Sequence, residues 1–456
     1  MKQTFLAYLL VSVVFGSVCA AEFQINTHTT YDQKNAAIAM DQAGGFVVVW
    51  SSYLQDGSSN GIFAQRFDPN CSPIGEESQI NVTSSGNQAE PAVATDAAAG
   101  FVVTWHGPAP VEQDREDIFA RRFDPNGGPL GDEFLVNSNT SDRQLYPSAA
   151  LNNDGTFVVV WESVDFGADG DKAICGQLYD SNGVVLGSEF VVSGEPSVCR
   201  YANVAADANG NFAVVWLDDA GSNSIMARLF DPNGLPRTQA FEVNTVRFGS
   251  VTRPSIAMDS AGYFAVTWDG DPDLARLDDI HARVFEPNGA PLGDQLLVNA
   301  TIDGPQGHPQ IAMSERAEFV IVWESRIDPD VNERDIFVQR FDNFGEPLGA
   351  EFQVNTYSEG DQRYPVATLG GDGRFVIAWQ SYAQDGSRYG IFAETGRMVG
   401  SADFNDDGFV DFADYCIFAD QWLEEVTNLP ADLIYDNRVD VQDLAEFSRQ
   451  WLTQLQ

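Results

Sequence analysis

The chain has few basic residues: 25 lysines and arginines stand against 67 aspartates and glutamates, and the formal net charge is −42. Recognition of DNA or RNA requires a basic surface that neutralises phosphates, so nucleic acid is excluded as the expected partner. The excess of carboxylates instead favours solubility and the binding of cations.

Long apolar runs are missing after residue 20, so no membrane span is expected. The first 20 residues combine a basic start at Lys2, an apolar stretch over 5–15 and small residues up to Ala20. This pattern is typical of a secretory signal peptide cleaved after Ala20, and a lipoprotein signal through Cys19 is the weaker alternative. We therefore expect a secreted protein, either extracellular or associated with the cell surface.

Cysteine is scarce, with four residues after the predicted cleavage point: Cys71, Cys175, Cys199 and Cys416. An exported protein permits a disulfide, and Cys175 with Cys199 is the favoured pair. Free thiols throughout are an equal alternative.

Catalytic motifs are missing too: the sequence has no nucleophile elbow, no phosphate-binding glycine loop and no zinc motif. Its four histidines lie in different parts of the chain. His281 stands where related segments carry Phe and is expected to be packed or half-exposed rather than catalytic. His106 is expected to begin a solvated loop.

What the sequence does have is a repeat. Seven tryptophans follow one another at intervals of 52 to 56 residues, and each ends an apolar run with Phe four residues earlier. They are Trp50, Trp105, Trp161, Trp216, Trp268, Trp323 and Trp379. Such a regular period indicates one supersecondary unit repeated seven times.

Each repeat reads as four short strands separated by turn residues, without a helical period. In the second repeat the strands are predicted at 90–96, 101–105, 118–124 and 133–137. The second strand is wholly apolar, which fits burial on both faces. The predicted fold is therefore mainly β, a seven-bladed β-propeller over residues 21–398.

The count of strands predicts how the ring closes. The fourth-strand motif first occurs at 22–26, before any first strand, and the last repeat has only three strands of its own. Residues 22–26 are therefore expected to pair with residues 390–395 as the outer strand of the last blade. The ring would then be closed by chain from both ends.

The loops that vary between repeats are expected to lie on one face and to form a binding rim. They cover 51–60, 106–116, 162–172, 217–223, 269–279, 324–334 and 380–389. The rim carboxylates are expected to be solvated, and additional calcium sites, especially around Asp56-Gly-Ser and Asp385-Gly-Ser, are the alternative. Many residues in and beside these loops are acidic. These are Glu112, Asp114, Glu116, Asp117, Glu162, Asp165, Asp169, Asp171, Asp269, Asp271, Asp273, Glu324, Asp328, Asp330 and Glu333.

The repeat resembles the Glu-Phe-Gln-Val-Asn-Thr, Phe-Val-Val-Val-Trp and Ala-Gln-Arg-Phe-Asp repeats of large bacterial exported and surface proteins. The resemblance implies an architecture more than an activity. The Asp-x-x-Gly-x-Phe spacing differs from the Asp-box of sialidase-like propellers.

Residues 401–456 differ in composition and contain a twelve-residue pattern typical of a calcium loop. Oxygen ligands are needed at positions 1, 3, 5, 7, 9 and 12, and Gly at position 6 permits the sharp turn. The residues at these positions are Asp403, Asn405, Asp407, the carbonyl of Phe409, Asp411 and Asp414, with Gly408 at the turn. Calcium is the expected cofactor.

A second loop begins 29 residues later but departs from the pattern. Ile434 stands at position 3, where it cannot coordinate, and Asn437 replaces the glycine. The remaining candidate ligands are Asp432, Asp436, the carbonyl of Arg438, Asp440 and Asp443. Either a weaker ion occupies this loop or the loop folds through apolar contacts alone.

Two such loops, each followed by a helix with apolar residues at helical spacing, resemble a type I dockerin over residues 402–453. Aspartate at position 12, Asp414 and Asp443, is a feature of that family. The resemblance implies a small α-helical calcium-binding domain that docks onto a cohesin module. It also implies that Phe412 with Ala413 and Val441 with Gln442 help to select the partner.

Three functions remain open at this point. The first is a non-catalytic binding propeller for a polysaccharide or surface protein, tethered through the dockerin-like segment. The second is a carbohydrate-active enzyme, a glycoside hydrolase or polysaccharide lyase, which would need two suitably spaced carboxylates for hydrolysis. The third is a structural repeat for adhesion. Fold alone does not choose among them.

Overall fold

A computed structural model describes most of the chain after residue 21. The described residues are 22–110, 115–166, 171–194, 197–220, 223–246, 253–271, 278–301, 304–326, 333–398, 412–422, 431, 433 and 438–453. The predicted signal peptide, residues 1–20, lies outside them. The boundaries predicted for the propeller and the dockerin-like segment stay predictions.

Seven four-stranded antiparallel sheets form a seven-bladed β-propeller, which confirms the predicted architecture. The first strand, β1 (Phe23–Gln24), precedes the first complete blade. Blade one contains β2 (Gln33–Met40), β3 (Phe46–Tyr53), β4 (Asn60–Phe67) and β5 (Pro73–Gln79). Blade two contains β6 (Ala89–Thr95), β7 (Phe101–Pro108), β8 (Glu116–Phe123) and β9 (Phe134–Leu135). Blade three contains β10 (Arg143–Leu151), β11 (Phe157–Phe166), β12 (Asp171–Tyr179) and β13 (Val185–Val191).

The later blades repeat this order. Blade four contains β14 (Cys199–Ala206), β15 (Phe212–Asp218), β16 (Ser224–Phe230) and β17 (Phe241–Glu242). Blade five contains β18 (Ser255–Met258), β19 (Phe264–Gly270), β20 (Asp279–Phe285) and β21 (Leu296–Leu297). Blade six contains β22 (Gln306–Met313), β23 (Phe319–Ser325), β24 (Asp335–Phe341) and β25 (Phe352–Gln353). Blade seven contains β26 (Gln362–Leu369), β27 (Arg374–Tyr382) and β28 (Tyr389–Arg397).

The ring closes through the N-terminal strand. Phe23 pairs with Ala393 and Gln24 with Phe392, so β1 becomes the fourth strand of blade seven. This is the pairing that the strand count predicts. Strand β2 of blade one also packs against β26 of blade seven.

The second strand of each blade is buried because it packs against both neighbouring blades. Each repeat tryptophan is at most 1% exposed. The phenylalanine four residues earlier stacks on an aromatic residue of the third strand in six blades, as in Phe101 on Phe123 at 4.6 Å. In blade seven the partner position is Gly396, where an added Cβ would lie 2.2 Å from the Phe375 ring.

The asparagine of the fourth-strand motif is structural. In six blades its side-chain oxygen accepts a hydrogen bond from a buried isoleucine N–H of the third strand, at 2.6 to 2.7 Å. In blade three Ser193 takes this place and accepts from Ile174 at 3.3 Å. The motif therefore satisfies a backbone donor that the short outer strand leaves unpaired.

The glutamate at the start of the same motif links neighbouring blades. Its carboxylate accepts from the backbone N–H that follows the asparagine of the preceding blade, as in Thr27 to Glu77 at 2.6 Å. We call this contact the blade clasp. The other carboxylate clasps join Val82 to Glu133, Ser138 to Glu189, Ala300 to Glu351 and Thr356 to Glu22. In blade five Gln295 replaces the glutamate, and its amide oxygen accepts from the N–H of Thr245. Blade four has Ala240 at this position.

The predicted disulfide between Cys175 and Cys199 is wrong: both are buried free thiols. Cys175 belongs to the apolar cluster between blades two and three, whereas Cys199 belongs to the cluster between blades three and four. The two side chains therefore pack on opposite faces of blade three.

After the propeller, the described residues form two helices, α1 (Phe412–Asp420) and α2 (Val441–Thr453). Phe418 and Phe447 pack together with ring centroids 5.4 Å apart. Among the residues that the structure describes, no helix is long and apolar enough to cross a membrane.

Candidate binding site on the propeller axis

One position near the start of each innermost strand, and just before it in blade five, faces the propeller axis. In six blades the pairing register shifts there, and the residue at the shift has φ between 50° and 55°. Such a left-handed conformation is uncommon for residues other than glycine and costs on the order of 1 kcal/mol or more. The scaffold therefore holds strained residues at one level around the axis.

The seven equivalent positions carry different side chains, and each lies fifteen residues before its repeat tryptophan. We call them the axial ring. In blade order they are Asn35, Glu90, Tyr146, Tyr201, Arg253, His308 and Tyr364. Together with their neighbours they line a cavity of about 190 Å³. The next residue is proline in five blades and alanine in two, so only the ring position itself varies widely.

The axial ring lies on the face predicted to carry the binding rim. The register pairs Lys34 with Ser51 and Ala89 with His106, so the ring is level with the residues that follow the tryptophans. The connections from second to third strands begin at this end of the blades.

Arg253 crosses the axis and organises half of the ring. Its guanidinium donates to Glu90 at 2.9 Å, although the two residues belong to blades five and two. It also lies 4.6 Å from the ring centroid of Tyr146 and 4.9 Å from that of Tyr201. Asn35 donates to the other oxygen of Glu90 at 3.1 Å. A cation held by a carboxylate and two aromatic faces is a stable, preorganised polar group.

The other half of the ring contains His308 and Tyr364, whose ring centroids are 4.4 Å apart. Behind them lies Glu324, which is 3% exposed. Its carboxylate lies 3.1 Å from Nδ1 of His308 and 3.1 Å from Nε of Arg334, and it accepts from the backbone N–H of Tyr364 at 3.0 Å.

These contacts decide the charge of Glu324. Burial by itself raises the pKa of this carboxyl, but the hydrogen bond and charge of His308, the Tyr364 N–H and Arg363 together hold the pKa below its ordinary value. Glu324 is therefore an anion that fixes the backbone of the ring residue Tyr364.

The residues that follow the tryptophans were predicted to begin solvated loops, and this is wrong. The second strands continue two to five residues past the tryptophan, and the first residue after it is at most 6% exposed in every blade. These residues are Ser51, His106, Glu162, Leu217, Asp269, Glu324 and Gln380. Burial lowers the pKa of His106, so its imidazole is neutral near pH 7.

The acidic rim is likewise more buried than predicted. Asp117, Glu162, Asp269, Asp271 and Glu324 are each at most 5% exposed. Specific partners explain the burial: Lys172 lies 2.5 Å from Glu162, and Asn137 donates to Asp117 at 2.7 Å. Glu116 and Asp171 are half-buried, and Glu333 is exposed.

The other predicted rim carboxylates lie outside the described residues or have no described side chain. These are Glu112, Asp114, Asp165, Asp169, Asp273, Asp328 and Asp330. His281 is 8% exposed and stacks on Trp268, which confirms the predicted packed histidine.

Sequence reasoning missed the axial ring. The signal was present, because a position fifteen residues before each tryptophan changes in charge and size while its neighbours repeat. Nothing local, however, distinguishes a residue on the axis from any other variable strand residue.

The first predicted calcium loop lies largely outside the described residues: Asp403, Asn405, Asp407, Phe409 and Asp411 are not described. Phe412, Ala413 and Asp414 form the first turn of helix α1. In the second loop Asp432 and Asp436 are also outside. Among the residues that the structure does describe, no group of three or more His, Cys, Asp or Glu side chains is placed to hold a metal.

The described part of the second loop is held by Asp443, which is fully buried. Its two oxygens accept from the N–H groups of Leu433 at 2.7 Å and Asp440 at 2.9 Å. Asp440 in turn accepts from the N–H of Gln442 at 2.9 Å and so caps the start of α2. Arg438, Val441 and Gln442 are exposed.

No family model and no curated protein sequence matches the chain. Solved structures do resemble it. A Dyadobacter fermentans protein of unknown function is 12% identical, with 82% of this chain and 97% of that chain covered and a TM-score of 0.47. A Penicillium chrysogenum α-L-arabinanase complexed with arabinobiose is 11% identical, with 83% and 98% covered and a TM-score of 0.44.

The β-propeller domain of the Trilobed protease from Pyrococcus furiosus is also similar, at 9% identity, with 82% of this chain and 96% of that domain covered and a TM-score of 0.45. Similarities at this level concern the fold alone. The chain is a seven-bladed β-propeller with a varied axial ring.

Proposed function

We propose that the protein is an exported, non-catalytic polysaccharide-binding propeller, tethered to a cohesin-type partner through its calcium-dependent C-terminal segment. The observation that carries the binding function is the axial ring. Seven equivalent backbone positions hold seven side chains of mixed charge and size around one cavity, in a conformation that is strained in six blades.

The chemistry of the cavity suits a sugar. Tyr146, Tyr201 and Tyr364 supply aromatic surface, while Asn35 and Arg253 supply hydrogen-bonding groups. A sugar presents apolar C–H faces and hydroxyls at the same time, and so matches such a mixture. A cavity of about 190 Å³ is concave and small, which fits a sugar unit better than the flat surface of a protein.

The charges at Glu324 and Glu162 favour binding over hydrolysis, whereas Asp117, whose pKa burial raises, is held by a hydrogen bond from Asn137. A glycoside hydrolase needs one carboxyl group that is protonated at working pH to act as the acid. Glu324 lies buried behind His308. Its carboxyl pKa is lowered, because the carboxylate lies beside cations and accepts a hydrogen bond from a backbone N–H. Glu162 is likewise paired with Lys172. Glu324 thus serves to position the ring residue Tyr364.

The test uses the full chain on a panel of neutral and uronate-containing polysaccharides, recording retention in affinity electrophoresis and release of reducing sugars. We expect retention without release. Arg253→Met and Tyr364→Ala, both in the axial ring, should weaken retention. Neither substitution should change the melting temperature of the propeller. The control is Tyr263→Ala, an exposed tyrosine in the turn between β18 and β19 at the other end of the blade.

Sugar release that disappears in the axial variants would overturn the non-catalytic function. Retention that is equal in wild type and both axial variants would show that the ring is not the site. No retention on any polysaccharide would leave the structural repeat as the better account.

The proposed attachment to a cohesin-type partner rests on observations outside the propeller. The loop pattern at 403–414 and the helices α1 and α2, which begin at the end of each predicted loop, support a calcium-dependent docking module. Binding of calcium would bring Asp403, Asn405 and Asp407 together and fold the segment, since such sites rarely exist before the ion binds.

The tether is tested by capturing the full chain on immobilised cohesin modules with calcium and with EDTA. Capture should need calcium and should be lost in Asp403→Ala with Asp407→Ala. The control is Glu425→Ala, between the two loops. Capture that persists in EDTA would contradict the calcium-dependent tether, and polysaccharide retention should not change in either case.

A further inference from the structure

Two loops that are far apart in sequence become neighbours when the ring closes. The motif Ser-Tyr-x-Gln-Asp-Gly-Ser occurs at 52–58 in blade one and again at 381–387 in blade seven. The other blades have different sequences in this connection. Because β1 joins blade seven and β2 packs against β26, these two blades are adjacent.

Both loops are held in the same conformation. Leu54 and Ala383, which follow the tyrosines, both have φ of 62°. Gln55 donates to Glu77 and Gln384 to Glu22, each at 2.5 Å, so each loop is fixed to the blade-clasp glutamate of its own blade.

The aspartates of the motif also act alike. Asp56 accepts from Ser58 N–H and Asp385 from Ser387 N–H, both at 3.0 Å. The loops therefore form a preorganised surface.

This surface exposes tyrosines. Tyr31 is 43% exposed, Tyr53 38% and Tyr382 45%. Tyr31 packs edge-on against Tyr53 at 5.8 Å, and Tyr382 against Tyr389 at 5.1 Å. The backbone N–H of Tyr31 donates to Ser387, which connects the two pairs across the blade junction. We call these four residues the tyrosine strip.

The tyrosine strip is continuous with the axial ring. Arg363 lies 4.9 Å from the ring centroid of Tyr364 and is near enough to Tyr389 of the strip to interact with its hydroxyl electrostatically. On the other side, Lys34 precedes the ring residue Asn35 and lies 4.8 Å from the ring centroid of Tyr389. Polar and aromatic groups thus follow one another from the axis to the rim.

The charges on this path are balanced. Asp32 lies 3.3 Å from Lys34 and 3.4 Å from Arg388, so both cations have a carboxylate partner. The whole chain carries a formal net charge of −42, which repels polyanions. A hydroxyl-rich neutral chain is the ligand that fits aromatic faces separated by paired charges.

We propose that the tyrosine strip binds further units of a neutral polysaccharide whose first unit occupies the axial cavity, so that affinity rises with chain length. This inference rests on the proposed binding function. A sugar stacked on an exposed tyrosine gains contact area that a disaccharide in the axial cavity does not reach.

The experiment is calorimetric titration of the full chain with xylo-, cello- and manno-oligosaccharides of two to six units. Tyr53→Ala and Tyr382→Ala should weaken binding of the longest oligosaccharide about three- to tenfold, and leave the disaccharide unchanged. Tyr364→Ala should weaken both lengths, whereas the control Tyr263→Ala should weaken neither.

The two proposals fail differently. If the strip variants bind the long oligosaccharide as wild type does, or lose affinity for both lengths alike, the strip is not a chain-length subsite and the axial site stands. If wild type binds no oligosaccharide of any length, the proposed function and the strip fall together.

Discussion

The carboxylate of Glu22 accepts hydrogen bonds from the backbone N–H and the hydroxyl of Thr356, at 2.6 and 2.7 Å. The two residues lie near opposite ends of the propeller sequence, and this blade clasp joins blade six to the N-terminal strand of blade seven. Ring closure therefore combines the two backbone pairs of β1, the hydrogen bond from Ile391 N–H to Asn26, the packing of β2 on β26 and this charged side chain.

We expect Glu22→Ala to destabilise the propeller by about 1–3 kcal/mol, because it removes charge-assisted hydrogen bonds from a backbone donor. The exposed residue Glu76 on β5 provides the control, and Glu76→Ala should change stability by less than about 0.5 kcal/mol. Denaturant unfolding measures both. Equal stability of the two variants would show that the closing clasp contributes nothing.

The structural role of the asparagine in the fourth-strand motif can be tested with two substitutions of different severity. Asn244 accepts from Ile225 N–H at 2.7 Å. Replacement by alanine leaves that buried donor unpaired, so Asn244→Ala should cost about 1–3 kcal/mol. Asn244→Ser should cost less, because serine serves at the same position in blade three through Ser193. Unfolding free energies that decrease from wild type to the serine variant to the alanine variant would support this role. A serine variant as unstable as the alanine variant would contradict it.

The burial of His106 predicts that the stability of the protein depends on pH. Burial lowers its pKa in the folded protein below the ordinary value of 6.5, so the unfolded chain takes up a proton first as the pH falls. The stability that the protein gains from burying a neutral His106 is complete above pH 6.5 and is lost as the pH falls below it. The melting temperature of His106→Gln should therefore fall less between pH 7.5 and pH 5 than that of wild type. Identical pH slopes would mean that His106 titrates alike in both states.

The buried thiols should be inert. Burial raises the pKa of both Cys175 and Cys199 to about 12, and only a thiolate reacts readily with alkylating reagents. In the folded protein at pH 8, iodoacetamide should label the exposed Cys416 and leave these two unmodified until denaturant is added. Peptide mass spectrometry measures each site. Rapid labelling of Cys175 or Cys199 in the folded protein would show that the packing of blade three against its neighbours opens.

Much of the fold was predictable because short sequence patterns specify it and recur in every repeat. The alternation of apolar runs and turn residues predicts four strands per repeat, and the early copy of the fourth-strand motif predicts that β1 pairs with β28. The extent of the second strands was not predictable from the tryptophan, since pairing with the third strand continues past it, as from Trp105 to Pro108.

The candidate sites were less accessible to sequence reasoning. The calcium ligands from Asp403 to Asp414 could be named because their spacing lies within one loop, and they stay a prediction. The axial ring brings together one residue from every blade, so that Arg253 meets Glu90 across 163 positions of sequence.

The sequence by itself determined the number of blades, the order of strands and the closure of the ring, because each depends on short patterns repeated along the chain. Only the tertiary structure decided which side chains meet. It placed seven unlike residues on one axis, buried carboxylates such as Glu162 and Glu324 beside cations, separated Cys175 from Cys199 across a blade, and set the loops of Tyr53 and Tyr382 side by side. The physical reason is that closing the ring makes neighbours of residues whose separation in sequence carries no information about their distance in space.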